Sequence, residues 1–85
     1  MAHSNIDLYY VFGVSTMTIE EYRLRLGWSK AKLAREADID VGTLNDAMSG
    51  KRIYKTTAAK IARAISEGLG QEVTYQDLDG VVTYD

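Results

Sequence analysis

Eighty-five residues, 46% of them hydrophobic and 26% charged, suit one globular domain with a single modest core. The chain has no Cys and one His, His3, so disulfides, thiolate nucleophiles, Cys-based zinc sites and His-centred metal sites or relay triads are excluded, and neither a catalytic residue nor a cofactor is expected. A net charge of −2 argues against an anionic partner, but residues 29–65 carry eight basic side chains against four acids, while residues 66–85 carry five acids and no base, and the local field decides docking.

No stretch approaches the roughly 18 apolar residues of a membrane helix, so no membrane partner is expected. The amino terminus lacks the basic start and cleavage site of a signal peptide. With no Cys to protect, a cytoplasmic location is expected.

Residues 1–16 read as an N-terminal extension, strand or tail: Leu8-Tyr9-Tyr10-Val11-Phe12 is aromatic and β-branched, and Met17 stands where a start codon would fall. The domain proper is expected over residues 17–78. Thr18 and Glu21 have capping-box spacing, with Met17 and Tyr22 placed as a hydrophobic staple. Ile19, Tyr22 and Leu26 line one face of a first helix that Gly27 ends. Ser29 caps a second helix with Leu33, Ala34 and Ala37 inward. After Asp38-Ile39-Asp40, Asp40 caps a third, with Leu44, Ala47 and Met48 inward and Ser49-Gly50 as its stop. The basic loop Lys51-Arg52-Ile53-Tyr54-Lys55 leads to Thr56-Thr57 and a fourth helix, where Ala58, Ile61, Ala62 and Ile65 share a face and Gly68 and Gly70 end the pattern. Thr74 and Asp77, flanked by Val73 and Leu78, predict a short fifth helix. Residues 79–85 form a C-terminal strand-like tail around Val81-Val82-Thr83-Tyr84, which pairs with residues 8–12, pairs across a dimer, or stays a frayed end. The fold class is all-α, a five-helix bundle with strand-like ends. Trp28, Leu33, Ile39, Leu44, Ile61 and Ile65 are expected in its core.

The second and third helices read as a helix-turn-helix unit. Small residues are needed where the two cross, which Ala34 and Ala37 supply, and Ile39 plugs the corner. The third helix turns Val41, Gly42, Asn45 and Asp46 outward with Thr43 at the margin. A helix of that width fits the DNA major groove.

The run Leu26-Gly27-Trp28-Ser29-Lys30-Ala31-Lys32-Leu33-Ala34-Arg35-Glu36-Ala37, then Ile39 to Thr43-Leu44, Ser49-Gly50-Lys51-Arg52 and Lys60-Ile61-Ala62-Arg63-Ala64-Ile65, resembles the Xre/Cro-type helix-turn-helix domain of small phage repressors and bacterial regulators. The resemblance spans residues 18–78 and implies a lambda-repressor-like fold. It further implies sequence-specific binding of a double-stranded DNA operator by a small transcriptional regulator, usually as a homodimer. It departs from the family pattern in Lys30 for Gln, Asp38 for Gly, Asp46 for a polar or basic reader, and Met48 for a Glu that would pair with Arg23.

On that reading the recognition helix spans about residues 41–48, with Val41, Gly42, Thr43, Asn45 and Asp46 facing the bases. Asn45 suits adenine, Val41 and Thr43 a thymine methyl, and Asp46 the cytosine amino group. Ser29, Lys30, Lys32, Lys51, Arg52, Tyr54 and Lys55 are the expected phosphate contacts. The bland alternative for each is a solvated surface. A second reading is a protein-interaction or antitoxin-like module with a degenerate helix-turn-helix and a polypeptide partner. Its motives are the acidic pI, Asp46 and the aromatic segment 8–12. No nucleophile–base pair, phosphate loop or metal-ligand spacing supports an enzyme.

Overall fold

The computed structural model describes residues 16–84. Strand β1 (Met17–Thr18) runs directly into helix α1 (Ile19–Leu26). The junction is the expected capping box: Thr18 Oγ1 accepts the Glu21 N–H at 3.0 Å, and Glu21 Oε1 accepts the Thr18 N–H at 2.8 Å. Gly27 closes α1 in the left-handed region, φ 72°. Ser29 Oγ accepts the Lys32 N–H at 3.0 Å to start α2 (Lys30–Glu36), and Asp40 Oδ1 accepts the Thr43 N–H at 2.6 Å to start α3 (Val41–Met48). Between them Asp38 takes φ 59°. Strand β2 (Arg52–Ile53) leads into α4 (Lys55–Leu69). A 3-10 turn (Tyr75–Asp77), β3 (Leu78–Asp79) and β4 (Val82–Thr83) complete the described chain.

The helices surround one core in which Leu33, Ala37, Leu44, Ala58, Ile61 and Ile65 are fully enclosed and no polar side chain is buried among the described residues. Trp28 and Ile39, expected inside, are only half-buried and pack against that core from its rim. Tyr22 is buried with its hydroxyl directed to the Asp77 carbonyl at 3.4 Å. Ser66 fastens the chain after α4: its Oγ accepts the Val73 N–H at 2.7 Å and lies 2.8 Å from both the Ala62 and Val73 carbonyls.

Three expectations about these elements are corrected. Among the described residues there are four α-helices rather than five: the segment after Thr74 makes a single 3-10 turn, because Leu78 leaves it as a strand. Asp77 Oδ2 still accepts the Thr74 N–H at 2.9 Å. Helix α4 starts at Lys55, before Thr56-Thr57, and Tyr54 heads it without a side-chain cap. Gly68 does not end that helix. It lies inside α4, where a Cβ would come within 2.6 Å of Leu26 Cδ2 and 2.7 Å of the Trp28 ring, and Gly70, φ 73°, is the stop. The C-terminal strand also finds a partner that the sequence did not suggest, the basic loop. Val82–Thr83 runs parallel to Arg52–Ile53, and the Tyr84 N–H extends the ladder to the Ile53 carbonyl at 2.9 Å. The strand predicted over 8–12 lies outside the described residues. A second parallel ladder joins Met17–Thr18 to Leu78–Asp79.

Candidate nucleic-acid interface

Helix α3 is positioned from both sides. Asp40 fixes its first turn, and the backbone of the preceding turn closes through Asp38 N–H to Arg35 O at 3.1 Å and Ile39 N–H to Ala34 O at 3.0 Å. Leu44 and Ala47 face the core, so the helical period turns Val41, Gly42 and Asn45 to solvent, with Thr43 and Asp46 half-buried at the margins. Val41 is 38% exposed, high for a side chain of its kind. Gly42 has a local reason besides any ligand: a Cβ there would press on the capping Asp40 Oδ1 at 3.3 Å. The Thr43 N–H holds the Asp40 carboxyl below the usual aspartate range, so it stays ionised at the positive end of α3.

The loop after α3 lies beside this ridge. Lys51 Nζ stands 3.5 Å from Asp46 Oδ1, so the acid on the outward side of α3 has a cation against it. Arg52 and Tyr54 follow on the outward side of β2, with Ile53 between them pointing into the core. Tyr54 is 68% exposed, its ring centroid 5.1 Å from that of Tyr84, and the Arg52 guanidinium lies 5.9 Å from the Tyr84 ring. Lys55 opens α4 as an exposed side chain.

The cations of α2 stand apart. Lys30 and Lys32 are two residues apart on one helix and point about 200° from each other. Lys32 lies over the Trp28 ring at 5.1 Å and pairs with Glu36 at 3.7 Å. Since Trp28 abuts Gly68, this places Lys32 near the far end of α4, roughly 20 Å along that helix from Lys55. Lys30 is exposed and close enough to Glu20 to help hold its carboxyl low. The Ser29 oxygen is occupied by the Lys32 N–H, leaving its hydroxyl proton to donate outward.

Arg23, which the resemblance left without a Glu at position 48, finds Glu20 instead. The pair is two-pronged, Nε to Oε1 at 3.0 Å and Nη2 to Oε2 at 2.6 Å, and Nη1 donates to the Trp28 carbonyl at 2.8 Å. This bond lowers the Glu20 pKa and raises that of Arg23. An i,i+3 acid–base spacing in the first helix was the available signal. The aromatic contact of Tyr84 was the other omission, hinted at only by the alternation of Arg52/Tyr54 and Val82/Tyr84 about two short strands.

Among the described residues no helix is long and apolar enough to cross a membrane. A helix-turn-helix family model matches residues 19–71, from the first residue of α1 to the turn after α4. No curated protein and no solved structure matches the chain. The model covers more than half of the sequence and contains the capped α2–α3 corner described above: the chain belongs to the Xre/Cro-type helix-turn-helix family, a family of DNA-binding domains.

Proposed function

We propose that the protein is a sequence-specific transcriptional regulator of the repressor/Cro type, with α3 lying in the major groove of a double-stranded operator. The observation that carries this is the solvent-facing ridge Val41, Gly42 and Asn45 with Lys51 and Arg52 directly beyond its end. Asn45 is the candidate for bidentate recognition of adenine, and Val41 and Thr43 for contact with a thymine methyl. Lys51, Arg52, Tyr54 and Lys55 grip phosphate on the side where the chain enters α4, and Lys30 with the Ser29 hydroxyl on the side where it enters α2. Asp46 either accepts from a cytosine amino group or rejects other bases.

The acidic pI is compatible with this because part of the acidic charge lies away from the basic loop. Glu67 sits near the end of α4 and Glu72 just beyond it, and Glu67 already meets Arg63 at 3.9 Å, whereas Asp79 precedes the strand that pairs with the loop. Two copies on a pseudo-palindromic site would set their α3 helices about 34 Å apart.

Selection from randomised duplexes, followed by anisotropy titration, tests the proposal. A symmetric enriched site is expected, bound with an affinity that falls steeply with salt. Replacing Lys51 and Arg52 together by Glu should weaken binding to every sequence alike and flatten the salt slope, whereas Asn45→Ala should relax preference at one base pair. No enriched sequence and no response to salt would reject the reading. Capture of a tight polypeptide partner with only non-specific DNA affinity would favour the interaction-module alternative.

A further inference from the structure

We infer that Tyr84 is a positioning residue for the duplex: its ring holds Arg52 and Tyr54 in place on the outer face of the β2–β4 ladder, so that the C-terminal strand presets the loop that grips phosphate. This rests on the DNA-binding reading above and assigns the tail a part in it.

The ladder is very short, and its register decides what it displays. Arg52 lies opposite Val82 and Ile53 opposite Thr83, which brings Tyr84 beside Tyr54. Side chains alternate across a strand. Ile53 therefore enters the core, and Arg52, Tyr54, Val82 and Tyr84 share the solvent side. Val82 and Tyr84 are 41% and 46% exposed, so the strand closes no part of the core with these side chains. What Tyr84 does contact is the Tyr54 ring at 5.1 Å and the Arg52 guanidinium at 5.9 Å, while its N–H anchors the strand on Ile53.

The manner of holding matters. Arg23, Lys32, Lys51 and Arg63 each sit against a carboxylate, which offsets part of the charge they offer a phosphate. Among the described residues Arg52 has no such partner and is steadied by an aromatic face instead. A ring restrains the long side chain electrostatically without neutralising it, and the guanidinium donors remain available to a second acceptor. Arg52 is thus ordered before the duplex arrives, which removes part of the entropy cost of binding.

The test is anisotropy titration of the full chain on its enriched duplex between 50 and 200 mM salt (roughly the range in which phosphate contacts dominate). Tyr84→Phe keeps the ring and should bind as the wild type does. Tyr84→Leu keeps an apolar cover without the ring and should bind about two- to fivefold more weakly, the size of an exposed cation–π contact. In an Arg52→Ala background the Leu substitution should cost clearly less, because only the hold on Tyr54 is left to lose, which a general loss of structure would not reproduce. The melting temperature of Tyr84→Leu should stay close to wild type, since the side chain is half in water. Wild-type affinity in Tyr84→Leu, an equal defect in Tyr84→Phe, or an undiminished defect in the Arg52→Ala background would overturn the inference while leaving DNA binding intact. So would an unfolded Tyr84→Leu, which would make the ring a stability element. Wild-type protein that binds no duplex would reject both readings.

Discussion

The α2–α3 corner and the β2–β4 ladder lie at opposite ends of helix α3 and are held by opposite means. In the corner every tie is local: Ser29 caps α2, Asp40 caps α3, and the turn between them bonds back to Ala34 and Arg35. Its inner face buries Leu33, Ala34, Ala37, Leu44 and Ala47 completely or nearly so. The ladder joins residues thirty positions apart, buries only Ile53 of its two short strands, and turns a cation and two tyrosines outward. The corner spends its side chains on shape, and the ladder spends its side chains on display. Stability and ligand affinity should therefore respond to different substitutions in a molecule this small.

The largest effect should come from Leu44→Ala. Leu44 is wholly enclosed on the inner face of α3, and truncating such a residue costs about 3 kcal/mol through lost burial and the cavity left behind. A domain of this length has roughly 4–13 kcal/mol in total. Its thermal midpoint should fall by at least 10 °C, on the scale of roughly 4–8 °C per kcal/mol for a domain this size. Val82→Ala, in the ladder, should change stability by less than about 0.5 kcal/mol. Comparable melting losses in the two variants would erase the contrast between corner and ladder.

An intermediate effect is expected at Asp46, where corner and loop meet. Its pair with Lys51 is exposed on both sides, so Asp46→Asn should leave the melting temperature nearly unchanged. On a mixed-sequence duplex, however, the variant should bind about two- to fivefold more tightly, with a salt slope steeper by just under one. Two things act together: a carboxylate is removed from beside the phosphates, and Lys51 is released to meet one. Weaker binding on mixed sequence would mean that the Lys51–Asp46 contact is needed to hold the loop in place.

What could be read without coordinates follows the same division. The caps at Thr18, Ser29 and Asp40 are legible because each is a bond between residues three apart, written in adjacent sequence. The exposure of Val41, Gly42 and Asn45 likewise follows from the helical period once Leu44 and Ala47 are placed inside. The ladder is not legible in this way. Two-residue strands carry almost no periodic signal, and the partner of Val82–Thr83 is chosen by tertiary packing, so its pairing with Arg52–Ile53 leaves no mark in the sequence. Gly68 misleads for a related reason. A glycine near the end of a helix looks like a stop, and only the Trp28 ring lying against it shows that it is there for close approach. Trp28 itself, apolar and at a core spacing, serves as a rim that carries Lys32 on its outer face.

The smallest effect sharpens the comparison from within the corner, at its one strained position. Asp38 has φ 59°, a left-handed conformation that most residues reach at a cost of roughly 1–2 kcal/mol and that Asp tolerates better than most. Glycine removes the steric penalty but adds freedom to the unfolded chain, so the two contributions partly offset. The net gain from Asp38→Gly should be about 0.5 kcal/mol, seen as a melting temperature higher by roughly 2–4 °C. DNA affinity and its salt slope should not move, because the turn bonds to Arg35 and Ala34 through its backbone and those bonds survive the substitution. A fall in stability would show that the Asp38 side chain contributes more to the corner than its backbone conformation costs. A change in the salt slope would show that the corner, like the ladder, helps set where the charges stand.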